Sequence, residues 1–475
     1  MTAAAPTWPV AHQRRLPIPA AAFELLAYLI VVAAATLAFT AGWLPVNGAV
    51  VLTVVLLASL IVLSWVHLGQ GRHPVFLFLC TLMFFQGGRL LAYCLSGVEN
   101  PLQVQLMQSS PFSIGRTNEG IVLLCLALSA ISIYGPCRWK YAAFPPPDTR
   151  SVRQYLPYLY LLFFASLPVQ LFKNYRYFEW AQQHGGYNAI YLSHATLAAS
   201  VPFLVRIIPL ISFPAFVAIF VFEHRKGRAY AAAALYFATA SIILLLGARG
   251  AAFGLVLAIW YVAKVKTARR TSIVVLASFA VLLMLVADVV RQNREDTQTR
   301  ELSFVPVEFL NLQGISLDVL STVVAYREYF SPYAWRYPLY ELQNAFVPID
   351  TEHYGRGKLL PYDVPVLLNV NAYNLGAGTG GSYIAESYAI GGMLGVIVLS
   401  LLVGGGLRLM QVLCRNIFGL FLVAMTLPDV ILMPRGELLD WFSALLKNAI
   451  AILLLWIGWK VYTMLTSIRH QRTAA

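Results

Sequence analysis

The 475-residue chain is predicted to be an all-α polytopic membrane protein with about twelve transmembrane helices and one long extracytoplasmic loop containing amphipathic helices. Composition is the first observation behind this. Hydrophobic residues make up 59% and charged residues 12%, whereas soluble domains carry about a quarter charged residues. The second is the set of apolar runs near the ~20 residues a helix needs to cross a bilayer. The third is the sorting of charge between the two sets of connecting loops.

The runs, in order, are Ala20–Ala41, Asn47–Val66, Pro74–Leu95, Glu119–Gly135, Gln154–Phe172, Ser200–Phe222, Ala229–Gly247, Ala251–Ala263, Thr271–Val290, Ser382–Gly404, Ile417–Met433 and Trp441–Leu465. Arg14 and Arg15 lead into a first run too long for a signal-peptide core and without a clear cleavage site, so it is read as a span. His73-Pro74 is a helix-start pattern for the third span. That span contains Phe84-Phe-Gln-Gly-Gly-Arg89, which sets an arginine inside the membrane boundary. Such an arginine is costly there and marks either function or snorkelling to the surface. Phe144-Pro-Pro-Pro-Asp148 reads as a stiff linker. Three regions follow: spans one to nine in 1–290, the long loop in 291–381, and spans ten to twelve in 382–475.

The net charge is +13, which in a soluble protein would suggest nucleic acid. Here it is explained by topology. Alternate loops hold Arg14/Arg15, Arg72, Arg138/Lys140/Arg150/Arg153, Arg225/Lys226/Arg228, Lys264/Lys266/Arg269/Arg270, Arg408/Arg415 and Arg469/Arg472, with only Asp148 and Glu223 as acids. The 291–381 loop has seven basic against ten acidic residues. The positive-inside rule then puts both termini in the cytoplasm and the long loop outside, and excludes nucleic acid. The five cysteines lie in or beside spans, without disulfide or metal-ligand spacing, and no metal site or cofactor is expected.

Within the long loop, Leu312–Phe330 has helical apolar spacing and Leu339–Phe346 fits a second, shorter helix. Both are expected to lie on the outer membrane surface. The loop carries Arg327, Arg336, His353, Arg356 and Lys358, then closes as Gly376-Ala-Gly-Thr-Gly-Gly381 at the start of a span. A helix N-terminus offers free N–H groups to an anion, and Glu386 follows one turn further in. Between spans seven and eight, Gly247-Ala-Arg-Gly250 presents Arg249 between glycines. Such a guanidinium offers a bidentate fork for phosphate. Pro434-Arg435-Gly436-Glu437 closes span eleven.

Gly247-Ala-Arg-Gly250, the long loop, and Gly378-Thr-Gly-Gly-Ser-Tyr-Ile-Ala-Glu386-Ser-Tyr-Ala-Ile-Gly-Gly-Met-Leu-Gly395 resemble the O-antigen polymerase (Wzy) family of oligosaccharide repeat-unit polymerases. Phe-Gln-Gly-Gly-Arg89 and Arg435 are lesser echoes. Ala248 stands where the family usually has Ser. The resemblance implies a GT-C-like, metal-independent glycosyltransferase in the bacterial inner membrane. It would transfer a glycan from undecaprenyl diphosphate to the non-reducing end of an incoming lipid-linked repeat unit at the periplasmic face. It implies a polyprenyl-diphosphate-linked oligosaccharide as substrate and a Wzz-like chain-length co-polymerase as partner. On this basis Arg249 holds the diphosphate, with Arg89, Arg327, Arg356 and Arg435 as helpers, and Glu386 or His353 is the base. The apparent lack of a clustered Asp/Glu site agrees with metal independence. Two other readings stay open: an O-antigen ligase-like transferase, and a flippase for lipid-linked oligosaccharides.

Overall fold

The structure, a computed structural model, describes residues 18–97, 100–105, 111–138, 144, 146–184, 201–245, 249–267, 306–344, 346, 356–374 and 379–474. Among the described residues the only extended pairing is one isolated bridge, Val104 with Phe112. Among the described residues eight helices are long and apolar enough to cross a membrane, or up to ten if each of two bent pairs is one span.

The first bundle begins with α1 (Ile18–Thr40), α2 (Val46–His67) and α3 (Pro74–Phe85). Pro74 starts α3 without wasting a donor, and His73 Nδ1 caps the helix by accepting the Val75 N–H at 3.2 Å. The expected third span is not straight. It breaks at Gln86-Gly87, and α4 (Gly88–Ser96) departs at 61°. A Cβ on Gly88 would lie 2.8 Å from the Leu310 carbonyl, so the backbone of the long loop packs directly against this break. Central to the bundle is α5 (Arg116–Arg138).

The second bundle holds α6 (Leu156–Gln183), α7 (Phe203–Ile207), α8 (Pro209–Phe222), α9 (Lys226–Leu245) and α10 (Arg249–Thr267). The last two fall where spans seven and eight were expected; the expected ninth span, Thr271–Val290, lies outside the described residues.

The long loop corrects the sequence expectation. In place of one helix over Leu312–Phe330 there are α11 (Pro306–Gln313), α12 (Ser316–Ala325) and α13 (Arg327–Phe330), with a 47° bend at Gly314-Ile315. Nor does α12 lie on a surface, because every residue from Ser316 to Val324 is buried. Its single charge, Asp318, is neutralised by Arg89, which removes the main penalty for burying it. A Cβ on Gly314 would lie 2.5 Å from the Arg89 backbone nitrogen, so only glycine lets the bend close onto α4. The loop continues through α14 (Arg336–Asn344), close to the second helix expected, then α15 (Leu360–Leu368) and α16 (Val370–Asn374).

The chain ends with α17 (Tyr383–Leu413), α18 (Ile417–Leu432) and α19 (Asp440–Ala474). Contact between α17 and α5 is close: a Cβ on Gly404 would sit 2.5 Å from the Ile133 carbonyl. Two turns from its start α17 kinks, with Gly391 at φ −142°, ψ 17° and Gly392 at φ +61°, ψ −144°. The left-handed φ at Gly392 is one that side-chain-bearing residues rarely adopt.

Candidate active site at the loop end of the bundle

Three sequence-distant runs meet where α17 begins. Ser382 caps α17, its Oγ accepting the Ala385 N–H at 3.3 Å. Gln86, at the α3/α4 break, donates through Nε2 to Ser382 Oγ (2.8 Å) and to the Pro434 carbonyl (2.6 Å). The Gly381 N–H donates to the Arg435 carbonyl at 3.1 Å, and a Cβ on Gly381 would lie 2.8 Å from the Gly436 carbonyl carbon. The end of the glycine-rich turn is therefore moulded onto the Pro434–Glu437 turn. Its residues 375–378 lie outside the described residues.

The arginines divide by burial. Arg89 is 2% exposed and forms an ion pair with Asp318. It also donates from Nε to Asn311 Oδ1 and from Nη1 to the Gln103 carbonyl, both at 3.2 Å. Here it ties α4 to the loop helices. Arg435 is exposed. It lies over the Phe85 ring at 5.5 Å and donates from Nη1 to Gln313 Oε1 at 2.8 Å. Below it, Phe84 of α3 stacks on Phe253 of α10 at 5.8 Å, one turn after Arg249 opens that helix. The α10 start is thus beside the Arg435 turn; the Arg249 side chain is outside the described residues.

A second group of cations lies on tyrosine faces. Exposed Arg327 sits 5.6 Å from the Tyr388 ring centroid and beside Gly392 at the α17 kink. Exposed Arg356 is 3.6 Å from the Tyr329 ring and 5.0 Å from Tyr333, and its Nη2 donates to the Tyr329 carbonyl at 2.9 Å. Arg336 reaches Tyr333 at 5.4 Å and Lys358 reaches Tyr340 at 5.6 Å. Buried Asp363 underpins this surface. It accepts from Tyr337 Oη at 2.6 Å and from the Gly357 N–H at 3.0 Å. Gly357, at φ +81°, packs against the Tyr333 ring where a side chain would not fit. The charge of Asp363 and burial together push the Tyr337 hydroxyl above its ordinary pKa, burial contributing more. His353 lies outside the described residues.

Glu386 is fully buried. Its Oε2 accepts the Leu438 N–H at 2.8 Å, and Glu341 Oε2 accepts the next N–H, that of Leu439. Glu437 completes a group of three carboxylates whose facing oxygens all lie within 4.8 Å of one another. This corrects the expectation that no acids cluster, since α14, α17 and the 436–439 turn supply one each. Burial, then the neighbouring Glu386 charge, pushes the Glu341 and Glu437 carboxyls well above the carboxylate range. Sequence reasoning passed over Glu341, although a lone acid in Leu339-Tyr-Glu-Leu342 was a usable signal. It also passed over Asp318 and Asp363, whose partners are remote in sequence or appear only with the fold.

An apolar cavity of about 440 Å³ between α17, α18 and α19 is lined by residues including Leu402, Leu409, Leu422 and Met433. It rises to Leu438 and Leu439, whose N–H groups hold the two carboxylates.

Comparison with curated proteins and with solved structures gives no match. The family description O-antigen polysaccharide polymerase Wzy matches residues 23–466, nearly the whole chain. With its apolar helices and the residue runs that meet at the start of α17, this multi-pass membrane chain belongs to the Wzy family of O-antigen polymerases.

Proposed function

We propose that the chain polymerises lipid-linked oligosaccharide repeat units at the periplasmic face of the inner membrane, with both termini cytoplasmic. The observation that carries the site assignment is the exposed surface of Arg327, Arg336 and Arg356 laid over tyrosine faces. Arginine forks suit diphosphate oxygens, and aromatic rings beside them suit the apolar faces of sugars. The cavity reaching Leu438 is suited to the first isoprene units of a polyprenyl tail.

In the reaction, a hydroxyl oxygen at the non-reducing end of the incoming repeat unit attacks the anomeric carbon of the growing glycan. A new C–O glycosidic bond forms, and the C–O bond to the diphosphate breaks. Polyprenyl diphosphate leaves with the bonding electron pair. It is a stable anion that needs charge stabilisation more than protonation. Arg249 and Arg435 on one side, and Arg327 and Arg356 on the other, are assigned that work, so the transfer is metal-independent. Arg89, engaged with Asp318, is assigned to the scaffold. The hydroxyl proton passes to a base. The burial of Glu386 and its bond from Leu438 favour a positioning role for it, which leaves His353 as the base. A Wzz-like co-polymerase is the expected partner in setting chain length.

Purified protein in detergent with a lipid-linked repeat unit tests this, read as a glycan ladder on a gel. Arg435→Ala, Arg356→Ala and His353→Gln should each reduce polymer formation by about 10²-fold or more while remaining folded. A full ladder from folded Arg435→Ala and Arg356→Ala would remove the diphosphate assignment. Transfer to a lipid A core acceptor, with no ladder, would make the chain a ligase.

A further inference from the structure

We infer that Glu341, Glu386 and Glu437 form a binding site for one divalent cation that staples the long loop to the membrane bundle. The inference does not rest on the polymerase reading. Glu341 and Glu386 are 2% and 0% exposed, and each of the three residues has one buried oxygen, Oε1, without a hydrogen-bond partner. The opposite oxygens of Glu341 and Glu386 are fixed by consecutive backbone N–H groups of Leu439 and Leu438. Two carboxylates are therefore held by one oxygen each, leaving the other unsatisfied. No lysine, arginine or histidine among the described residues forms a salt bridge with any of the three. The guanidinium of Arg435, two residues before Glu437, is engaged with Gln313 and Phe85.

Three carboxylates in contact, two of them buried and Glu437 half-buried, need either shared protons or a cation. The spacing suits a cation. Hard divalent ions take oxygen ligands at about 2.0–2.6 Å, so two ligands on opposite sides of one ion stand about 4–5 Å apart. The three facing oxygens fall inside that limit, within 4.8 Å. An all-oxygen donor set selects Mg²⁺, Mn²⁺ or Ca²⁺ over softer metals. Each ligand comes from a different segment, so one ion would cross-link α14 of the loop, the first turn of α17 and the turn leading into α19. Placed there, the ion binds protein and acts on the loop's position, leaving the leaving-group charge to the arginines.

The test uses the full chain in detergent, stripped with EDTA and then titrated with Mn²⁺. Binding is followed by calorimetry and Mn²⁺ electron paramagnetic resonance, and stability by melting. The wild type should take up one Mn²⁺ and melt at a higher temperature when it is restored. Glu341→Gln and Glu437→Gln should each weaken uptake about tenfold or more and abolish the melting response. A wild type that binds no Mn²⁺ and melts identically in EDTA would overturn the site in favour of shared protons. Unchanged binding in both variants would place the ion elsewhere and overturn it equally. If neither variant folds, the wild-type melt decides: a response to Mn²⁺ supports the site, and indifference overturns it.

Discussion

Arg89 and Asp318 provide the sharpest test of how charge is used in this molecule, because the sequence offered Arg89 as a substrate ligand and the structure buries it. Replacing Arg89 with Met leaves Asp318 buried with its ion-pair partner gone, although Oδ2 keeps the Gln105 N–H at 3.1 Å. Breaking a buried pair from one side costs about 3–5 kcal/mol. The Asn311 and Gln103 acceptors also each lose a hydrogen bond, worth about 1 kcal/mol. Arg89→Met should therefore destabilise by about 5–7 kcal/mol, and Asp318→Leu by about 3–5 kcal/mol. The double variant, with an apolar pair in the same space, should cost less than the sum by at least about 2 kcal/mol, since neither charge is then stranded. Denaturant unfolding in mixed micelles, run as a double-mutant cycle, measures this. Additive costs would refute the reasoning. So would an Arg89→Met protein as stable as the wild type but unable to polymerise, which would return Arg89 to the diphosphate.

Two further predictions concern packing and pH. Gly404→Ala should cost about 1–3 kcal/mol, because its Cβ would meet the backbone of α5 at Ile133, 2.5 Å from the carbonyl oxygen. Gly405→Ala, which meets nothing, should be neutral or stabilising by up to about 1 kcal/mol, and unfolding in micelles compares the two. Burial, reinforced by Arg408, lowers the His73 pKa from 6.5 to about 3. Above pH 6.5 both folded and unfolded states hold it neutral and it has no effect. Below that the unfolded state takes up the proton first, so stability falls by about 1.4 kcal/mol per pH unit, or about 2 kcal/mol by pH 5. His73→Asn, which keeps a capping side chain, should remove that slope from a melting series. An unchanged slope would refute the assignment.

How far the sequence could be read follows from how local each signal is. Hydropathy located the eight span-length helices among the described residues, because a run of apolar residues is a property of one segment. The start of α3 at His73-Pro74 is likewise local. The bend after Phe85 was not anticipated, although Gly87-Gly88 stood in the sequence, because a bend there depends on the Leu310 backbone arriving to fill the space. The helical apolar spacing over Leu312–Phe330 predicts a surface helix, whereas the burial of Asp318 within it depends on the fold. Its neutralising partner, Arg89, lies 229 residues away, and no periodicity can show that. The carboxylate group escaped for the same reason. Glu341, Glu386 and Glu437 are far apart in the sequence, and only the fold makes them neighbours. The arginine positions were legible, but their division into buried and exposed was not.

That division follows from partners. A guanidinium keeps its charge at every accessible pH, so what it can do for a substrate is set by whether its donors are already committed. Arg89 gives Nε and Nη1 to Asp318, Asn311 and Gln103, while its buried Nη2 has no hydrogen-bond partner, and drawing it towards a diphosphate would break the buried ion pair with Asp318. Arg327 and Arg356 rest on aromatic faces while exposed, a contact worth about 0.5–1 kcal/mol at such sites, and Arg356 adds a hydrogen bond to the Tyr329 carbonyl worth about 1 kcal/mol, so a diphosphate can recruit them at modest cost. The Arg327 seat depends in turn on the left-handed Gly392, which turns α17 just beyond Tyr388 and opens the space beside its guanidinium. The Arg89–Asp318 pair and the Glu341–Leu439 bond thus join the long loop to the bundle, while the kink at Gly392 lies against the Arg327 guanidinium.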